Sequence, residues 1–204
     1  MESINQRVWH IMRADPAVMR TIQRKLLNNR ALAKYLLAHH SLDTSLDSII
    51  SSIRRFPMDS YHKEETSLQR IFKDSVVSTS NNMACVTIRA APADVLARLH
   101  ELALPNLRIV SGSDQVKLLV KNALITKLTS IFKKVDVEEH LSEISVTVGE
   151  DAIKTKGVLA TITSEIALAN INIQELLVCP PQFFIYVAES DIVKAHERVL
   201  SLTE

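Results

Sequence analysis

Glycine and cysteine are scarce in this chain of 204 residues, and each scarcity excludes a class of protein. Three glycines are too few for a glycine-rich phosphate loop or a dinucleotide-binding fingerprint. The two cysteines, Cys85 and Cys179, stand alone in predicted strands, which is the usual setting of buried, reduced thiols. We therefore expect no bound cofactor and no disulfide bond.

Long apolar runs and a strong net charge are absent as well. No run reaches the roughly 18 apolar residues of a membrane-spanning helix, and residues 1–7 do not resemble a signal peptide. A formal charge of +1 provides no strong field to attract a membrane or a nucleic acid. These absences predict a cytoplasmic protein with no membrane partner. The 47% hydrophobic content is enough for one to three small domains.

Patterns of catalytic and metal-binding residues are also missing. No Ser, His or Asp stands at the spacing of a nucleophile and its base, and no paired carboxylates stand out. His39 and His40 have no Cys or acidic residue at ligand spacing. The sequence therefore predicts no metal site and no enzymatic activity.

The carboxyl-terminal third shows a clear order of strands and helices. Residues 143–148 alternate polar and apolar side chains like a half-buried strand, and a polar loop follows them. A helix is predicted from Gly157 to about Ala169, then strands over 171–178 and 183–187 around Pro180-Pro181, then a helix over 191–202. This order matches a ferredoxin-like βαββαβ unit that lacks its final strand.

Three short segments of this third resemble the ACT family, particularly the ACT modules of aspartokinases. They are Lys154–Leu159, Ala169–Ile173 and Ile185–Val187, the last followed by Asp191 and Ala195. The resemblance extends from Glu143 to Leu202. It implies a small regulatory module that binds an amino acid, usually at an interface between paired modules, and it does not imply catalysis.

Gly157 is the centre of the candidate ligand site. It stands where a polar loop becomes a helix, so the first helical N–H groups are unpaired and suit a carboxylate. The alternative is that Gly157 only permits a tight turn or close packing. Asn170 is predicted to stop the helix, whereas Asn172 either offers its amide to a ligand or faces solvent. The predicted ligand-binding residues are Lys156, Gly157, Val158, Asn170, Ile171, Asn172 and Ile173.

The middle segment repeats the same order of elements. A hairpin is predicted from 75–79 and 83–88 around Asn81-Asn82, followed by a helix from Pro92 with an apolar face. Two strands, 107–110 and 116–120, and a helix over 123–132 complete it. The apolar face of the first helix comprises Val95, Leu96, Leu99 and Leu102. The junction Ala90-Ala91-Pro92 has no glycine, so we interpret this copy as a divergent, structural ACT-like module.

The missing last strand of the carboxyl-terminal unit must be supplied from elsewhere, because open sheet edges are normally covered. The candidates are residues 75–79, residues 133–137 or a second subunit. We expect tandem modules, 70–137 and 138–204, that share one sheet or pair side by side, and a homodimer.

The amino-terminal section is mildly basic and helical. Residues 1–60 carry nine Lys or Arg against five Asp or Glu, whereas residues 61–204 carry 15 against 18. Four helices are predicted: from Ser3 to Arg13, from the Asp15-Pro16 start to about Leu27, over 30–37, and from Thr44 to Pro57. The last carries an apolar stripe of Leu46, Ile49, Ile50 and Ile53 opposite a face of Ser48, Ser51, Ser52 and Arg55.

The last two of these helices are compatible with a helix-turn-helix, and residues 27–56 resemble the helical head of uncharacterised archaeal ACT-domain proteins. The candidate DNA contacts are Thr44, Ser45, Ser48, Ser51 and Ser52 in the groove, with Arg30, Lys34, Arg54 and Arg55 on phosphates. The alternatives are a protein-docking head or a plain solvated surface.

The sequence as a whole predicts an α+β protein with tandem ferredoxin-like, ACT-like modules after an all-α head. The predicted function is a non-catalytic regulator that binds an amino acid, with DNA binding as one output. The alternatives are a regulatory subunit that docks on an amino-acid biosynthetic enzyme, and a structural dimer that binds no ligand.

Overall fold

A computed structural model describes residues 3–57, 68–100 and 107–204. The chain divides into two compact units, Met1–Ser67 and Leu68–Glu204. We call the first the head and the second the sheet unit. Among the described residues, no helix is long and apolar enough to cross a bilayer.

The head contains the four predicted helices, α1 (Ile4–Ala14), α2 (Pro16–Gln23), α3 (Asn29–His39) and α4 (Leu46–Arg54). Each begins at a polar cap: Ser3, Asp15, Asn28 and Ser45 accept hydrogen bonds from the first-turn amides. The predicted start of α4 at Thr44 is therefore wrong by one residue. Helix α2 also ends earlier than predicted, because Lys25 adopts a left-handed φ of 56° and Leu26 N donates to Thr21 O.

The head has its own hydrophobic core, centred on Met12, Ile22, Leu36, Ile49 and Ile53. Trp9 packs edge-on against Phe56, and its Nε1 donates to the Ser52 carbonyl at 2.8 Å. Ser52 is itself buried, and its hydroxyl donates to Asn5 Oδ1 at 2.6 Å. The prediction that Ser52 lies on the solvent face of α4 is therefore wrong.

The sheet unit alternates long strands with short helices. Residues 68–73 form a helical segment, α5. The further elements are β1 (Val76–Ile88), α6 (Pro92–His100), β2 (Arg108–Ser111), β3 (Val116–Lys121), α7 (Ile125–Ile131), β4 (Val135–Thr147), α8 (Val158–Leu168), β5 (Glu175–Cys179), β6 (Gln182–Ala188) and α9 (Ile192–Leu200). The six strands form one sheet in the order β2-β3-β1-β4-β6-β5, and all neighbours are antiparallel.

Strands β1 and β4 pair over nearly their whole length and join the two modules. The predicted hairpin at Asn81-Asn82 is wrong, because β1 runs through these residues with a bulge where Asn82 has a φ of 57°. The first half of β1 pairs with residues 143–147, whereas its second half pairs with β3 and with the first half of β4. Residues 76–80 therefore supply the final strand of the carboxyl-terminal module, and the modules share one sheet as expected.

All described helices of the sheet unit lie against one face of the sheet. Val146, Ile162 and Ile185 belong to the core of the carboxyl-terminal module, and Val86, Leu118 and Leu128 belong to that of the middle module. Leu96, which we predicted in the apolar face of α6, is 44% exposed, and Leu102 lies outside the described residues.

The opposite face of the sheet carries a third cluster, with Met83, Cys85, Leu119, Leu141, Phe184 and Tyr186 from both modules. Arg108 on β2 contacts Glu143 on β4 at 2.9 Å, although two strands lie between them. In a flat sheet these strands would be about 14 Å apart. The sheet is therefore folded over along β1 and β4, so that the faces without helices pack together.

Candidate functional site

The candidate ligand site lies at the amino terminus of α8. Gly157 caps this helix with a φ of 89°, a left-handed conformation that glycine adopts without steric cost. No side chain caps the helix, and its first backbone hydrogen bond runs from Thr161 N to Gly157 O at 2.8 Å. The turn at Lys156-Gly157 directs the Val158 amide towards the Thr155 carbonyl, whereas among the described residues the amides of Leu159 and Ala160 have no hydrogen-bond partner.

The residues around Gly157 divide between solvent and core. Lys156 and Gly157 are exposed, whereas the Val158 side chain is buried in the core of the module and fixes the first turn of α8. The described helix α5 borders the site, because a Cβ built on Gly157 would lie 3.5 Å from Leu68 Cδ1. Among the described residues, Leu68 therefore borders the helix end at which these amides lie.

The far end of α8 is closed by Asn170. Asn170 has a φ of 58°, Asn170 N donates to Ala167 O, and Ile171 N donates to Ile166 O. This is the Schellman arrangement, with Ile166 and Ile171 packed in the same core. Asn170 is therefore the helix stop that the sequence predicts.

The segment after Asn170 is less extended than the sequence predicts. The strand expected over 171–178 begins only at Glu175. Ile171 is buried and Ile173 is partly buried beside Val158, whereas Asn172 is exposed. Of these three predicted ligand contacts, Asn172 is the one that presents its side chain to solvent.

The helix terminus can bind a carboxylate in a simple way. Unpaired N–H groups and the positive end of the helix dipole both favour an anion, the dipole by about 0.3–1 kcal/mol at an exposed site. The Lys156 ammonium adds a second positive charge one residue before the cap. The arrangement can hold the carboxylate of an amino acid.

A polar cluster between the two folded sheet faces was missed by the sequence reasoning. Glu143 is only 5% exposed, accepts a hydrogen bond from the Tyr186 hydroxyl and pairs with Arg108, whose guanidinium stacks 3.8 Å above the Phe184 ring. Burial, followed by the hydrogen bond to Glu143, raises the pKa of Tyr186 well above its usual value. The alternation of residues 143–148 predicts a half-buried strand, but Glu143 on its polar face is buried.

A second charged pair lies in the same interior. Lys117 on β3 pairs with Glu175 on β5, and Cys85 Sγ lies 3.8 Å from Glu175 Oε1. Burial, followed by the Glu175 charge, raises the pKa of the Cys85 thiol to about 11. The available signal was a lysine within the apolar run 116–120, since a charge in a buried strand requires a partner.

The head displays most of its candidate DNA contacts. Ser45 and Ser51 are exposed, Thr44 and Ser48 are half-buried, and Ser52 is buried. The cationic candidates are all exposed: Arg30, Lys34, Arg54 and Arg55. Within the described part of the chain, no group of three or more His, Cys, Asp or Glu could hold a metal ion.

Solved structures of similar fold agree with the tandem architecture of the sheet unit. The chain is similar to the Clostridium acetobutylicum aspartate kinase, with a TM-score of 0.55 and 16% identity over 63% of this chain and 34% of that one. It is similar to the regulatory subunit of aspartate kinase from Thermus thermophilus, with a TM-score of 0.53 and 16% identity over 63% of this chain and 96% of that one. A Vibrio cholerae protein of unknown function has a TM-score of 0.51 and 14% identity over 68% of this chain and 98% of its own.

These similarities are structural only. No family model and no curated protein matches the sequence. The chain spans about a third of the length of the Clostridium kinase, and nearly the whole of the Thermus regulatory subunit. The fold thus defines a class of protein with two ACT-like, ferredoxin-like modules in tandem, preceded by a helical region.

Proposed function

We propose that this protein is a non-catalytic regulator that binds a free amino acid at the amino terminus of α8. The observation that supports it most is the left-handed Gly157, with the uncapped amides of Leu159 and Ala160 after it. In this proposal the amides hold the ligand carboxylate beside Lys156, and Asn172 of a neighbouring module contacts the ligand amino group. The similarity to a free-standing regulatory subunit of aspartate kinase supports the same assignment.

The neighbouring module would come from a second copy of the chain. Strand β5 forms one edge of the described sheet, and its Val178 and Cys179 are exposed, so a partner can pair there. An amino acid held between the two copies would stabilise the dimer. A single-chain mass by light scattering at saturating ligand would exclude this arrangement.

The regulator has two candidate outputs, DNA binding by the head and docking on an enzyme. Exposed Arg30, Lys34, Arg54 and Arg55 support DNA binding and hence a transcriptional regulator. The similarity to a complex of aspartokinase alpha and beta subunits supports docking on a biosynthetic enzyme instead. Fluorescence anisotropy with random duplex DNA separates them, because phosphate contacts must weaken as salt rises. Absence of binding at low salt would remove the DNA output.

A thermal-shift screen against the twenty amino acids tests the ligand site. A true ligand raises the midpoint in a concentration-dependent way, and at 100 times its Kd it adds about 2.7 kcal/mol to the free energy of unfolding. Lys156→Glu should weaken binding by charge repulsion without loss of stability. Lys154→Glu, in the same loop, should retain affinity. If a folded sample shows no shift of its thermal midpoint at millimolar amino acid, the proposal is contradicted. The structural dimer that binds no ligand is then the remaining alternative.

Two glycine substitutions provide a second matched pair of variants, one at the site and one in the loop before it. Gly157→Ala forces a side chain into left-handed geometry and should cost about 1–2 kcal/mol of stability as well as ligand binding. Gly149→Ala has no atom within 4 Å of the new Cβ and an ordinary φ of −65°, so both properties should be retained. Calorimetric titration of both folded variants measures affinity apart from stability.

A further inference from the structure

A cavity of about 600 Å³ opens at the start of α6, in the middle module. Its apolar lining includes Ile88, Val95 and Phe132, and all three side chains are buried in the module core. Four cationic residues line the same cavity, Arg89, Arg98, Lys133 and Lys134, against one acidic residue, Asp94. The cavity thus combines a positive rim with a small apolar surface on Ala90 and Ala97, because Ile88, Val95 and Phe132 are at most 6% exposed.

The positive charge of this rim is only partly neutralised. Arg89 pairs with Asp136 at 2.8 Å on an exposed surface, and the Arg98 guanidinium donates to the Ile131 carbonyl at 3.2 Å. Across the described ranges, no ion pair involves Lys133 or Lys134. Four cations against Asp94 and Asp136 leave a net excess of two positive charges.

The two loops that carry Arg89, Lys133 and Lys134 are held together by the sheet, and Arg98 lies on α6, which follows the first loop. Ile88 pairs with Val135 at the end of the β1–β4 ladder, and Arg89 N donates to Lys134 O at 3.1 Å. The cationic side chains are therefore attached to a fixed backbone frame, which lowers the entropic cost of binding a ligand between them.

We propose that this cavity binds a small organic dianion, with its charged groups between Lys133, Lys134 and Arg98 and its apolar part against Ala90 and Ala97. The volume lies within the range of about 300–1,000 Å³ of small-molecule sites. Two adjacent cations match two negative charges, and the accessible Ala90 and Ala97 favour a carbon skeleton over a bare ion. This site differs from the one at Gly157, which carries one lysine and suits a zwitterion.

The charged groups of such a ligand are either phosphate or carboxylate oxygens, which both accept hydrogen bonds from Lys and Arg. Two probes with the same ring distinguish them: phenyl phosphate and benzene-1,2-dicarboxylate. Inorganic phosphate serves as the anion without an apolar part. Calorimetric titration of the full-length protein measures all three.

We expect at least one aromatic dianion to bind about tenfold more tightly than inorganic phosphate, a difference of about 1.4 kcal/mol. Lys133→Ala/Lys134→Ala should weaken that binding at least tenfold, and Arg98→Gln should weaken it too. Lys73→Ala/Lys127→Ala, which removes two exposed cations outside the cavity, should leave it unchanged. All four lysines are exposed, so both double variants should fold with unchanged melting temperatures.

Three results would overturn the assignment. One is equal affinity for inorganic phosphate and the ring-bearing probes, which indicates an adventitious ion only. Another is an equal loss of affinity in both double lysine variants, and the third is no binding of either aromatic probe at millimolar concentration. Amino-acid binding at Gly157, measured in the same Lys133→Ala/Lys134→Ala protein, should be unaffected, so the two sites are tested separately.

Discussion

Cys85 and Cys179 occupy opposite environments, although the sequence places both in strands. Cys85 is buried between the two sheet faces beside Glu175, whereas Cys179 is exposed at the end of edge strand β5. The prediction of a buried thiol is therefore wrong for Cys179. Period-two alternation identifies two faces of a strand, but it does not show that β5 ends at the rim of the fold.

This difference predicts selective alkylation. With iodoacetamide at pH 8, in dilute protein without amino acid so that β5 is unpaired, Cys179 should react within minutes, whereas Cys85 should react only after unfolding, because it is buried and its pKa is raised to about 11. Peptide mass spectrometry of native and urea-treated samples measures both sites. Equal modification of the two cysteines in the native protein would contradict the burial of Cys85.

The same thiol predicts a pH dependence of stability. The pKa of Cys85 is raised in the folded state from 9.0 to about 11, so the folded protein retains a proton that the unfolded chain loses. The stabilisation of the folded state that this proton provides is complete below pH 9 and is lost as the pH rises towards 11. Urea unfolding across that window should show a smaller decline for Cys85→Ala than for the wild type. An identical decline in both proteins would contradict the pKa shift.

Gly157 and Asn170 show which residue-scale features a sequence can reveal. A glycine before a helix and an asparagine after it both report local backbone geometry: the helix stop predicted at Asn170 is present, and Gly157 adopts a left-handed conformation that suits the tight turn considered for it. Glu143 was not predictable in this way. Its burial depends on Arg108 and Tyr186, which are distant in sequence and contact it only after the sheet folds over.

At the scale of elements, the two long strands determine the architecture. Val77 in the first half of β1 packs against the carboxyl-terminal core, and Val86 and Ile88 in the second half pack against the middle core. This change from odd to even positions follows from the bulge at Asn82, which inserts one residue into the ladder. The sequence pattern breaks at the same place, which is why it predicts a hairpin turn instead.

Interior charge pairs should hold the folded-over sheet together. Arg108→Ala leaves the buried Glu143 carboxylate without its cation and should lower the free energy of unfolding by about 2–3 kcal/mol. Arg89→Ala removes an ion pair whose side chains are 65% and 64% exposed, and should change stability little. Urea unfolding of both variants makes the comparison, and similar effects would contradict the packing of the two faces.

At the scale of the whole molecule, the sequence was sufficient to predict the tandem modules and the helical head. It was sufficient because helix caps, strand alternation and glycine positions are local signals. It left open which segment supplies the last strand of the carboxyl-terminal module. Pairing of residues 76–80 with 143–147 joins segments more than sixty residues apart, and local periodicity contains no information about such partners.

The cationic cavity beside α6 also depends on pairing between segments that are distant in the sequence. Arg89 follows β1 and Arg98 lies on α6, whereas Lys133 and Lys134 lie in the connection between α7 and β4 at the other end of the middle module. The absence of a glycine at the junction Ala90-Ala91-Pro92 predicted a structural role for this module. Only the antiparallel pairing of β1 with β4 brings the two ends of the module together and creates the cavity.

Backbone amide shifts measured by ¹⁵N NMR on the full-length protein test most directly whether the start of α8 binds an amino acid. Titration with the amino acid that gives the largest thermal shift should move the signals of Leu159 and Ala160 along one saturation curve. Signals of Ala93 and Asp94 at the start of α6 should stay in place. Saturation with no movement of the α8 amides, or movement confined to other parts of the chain, would contradict the proposed function.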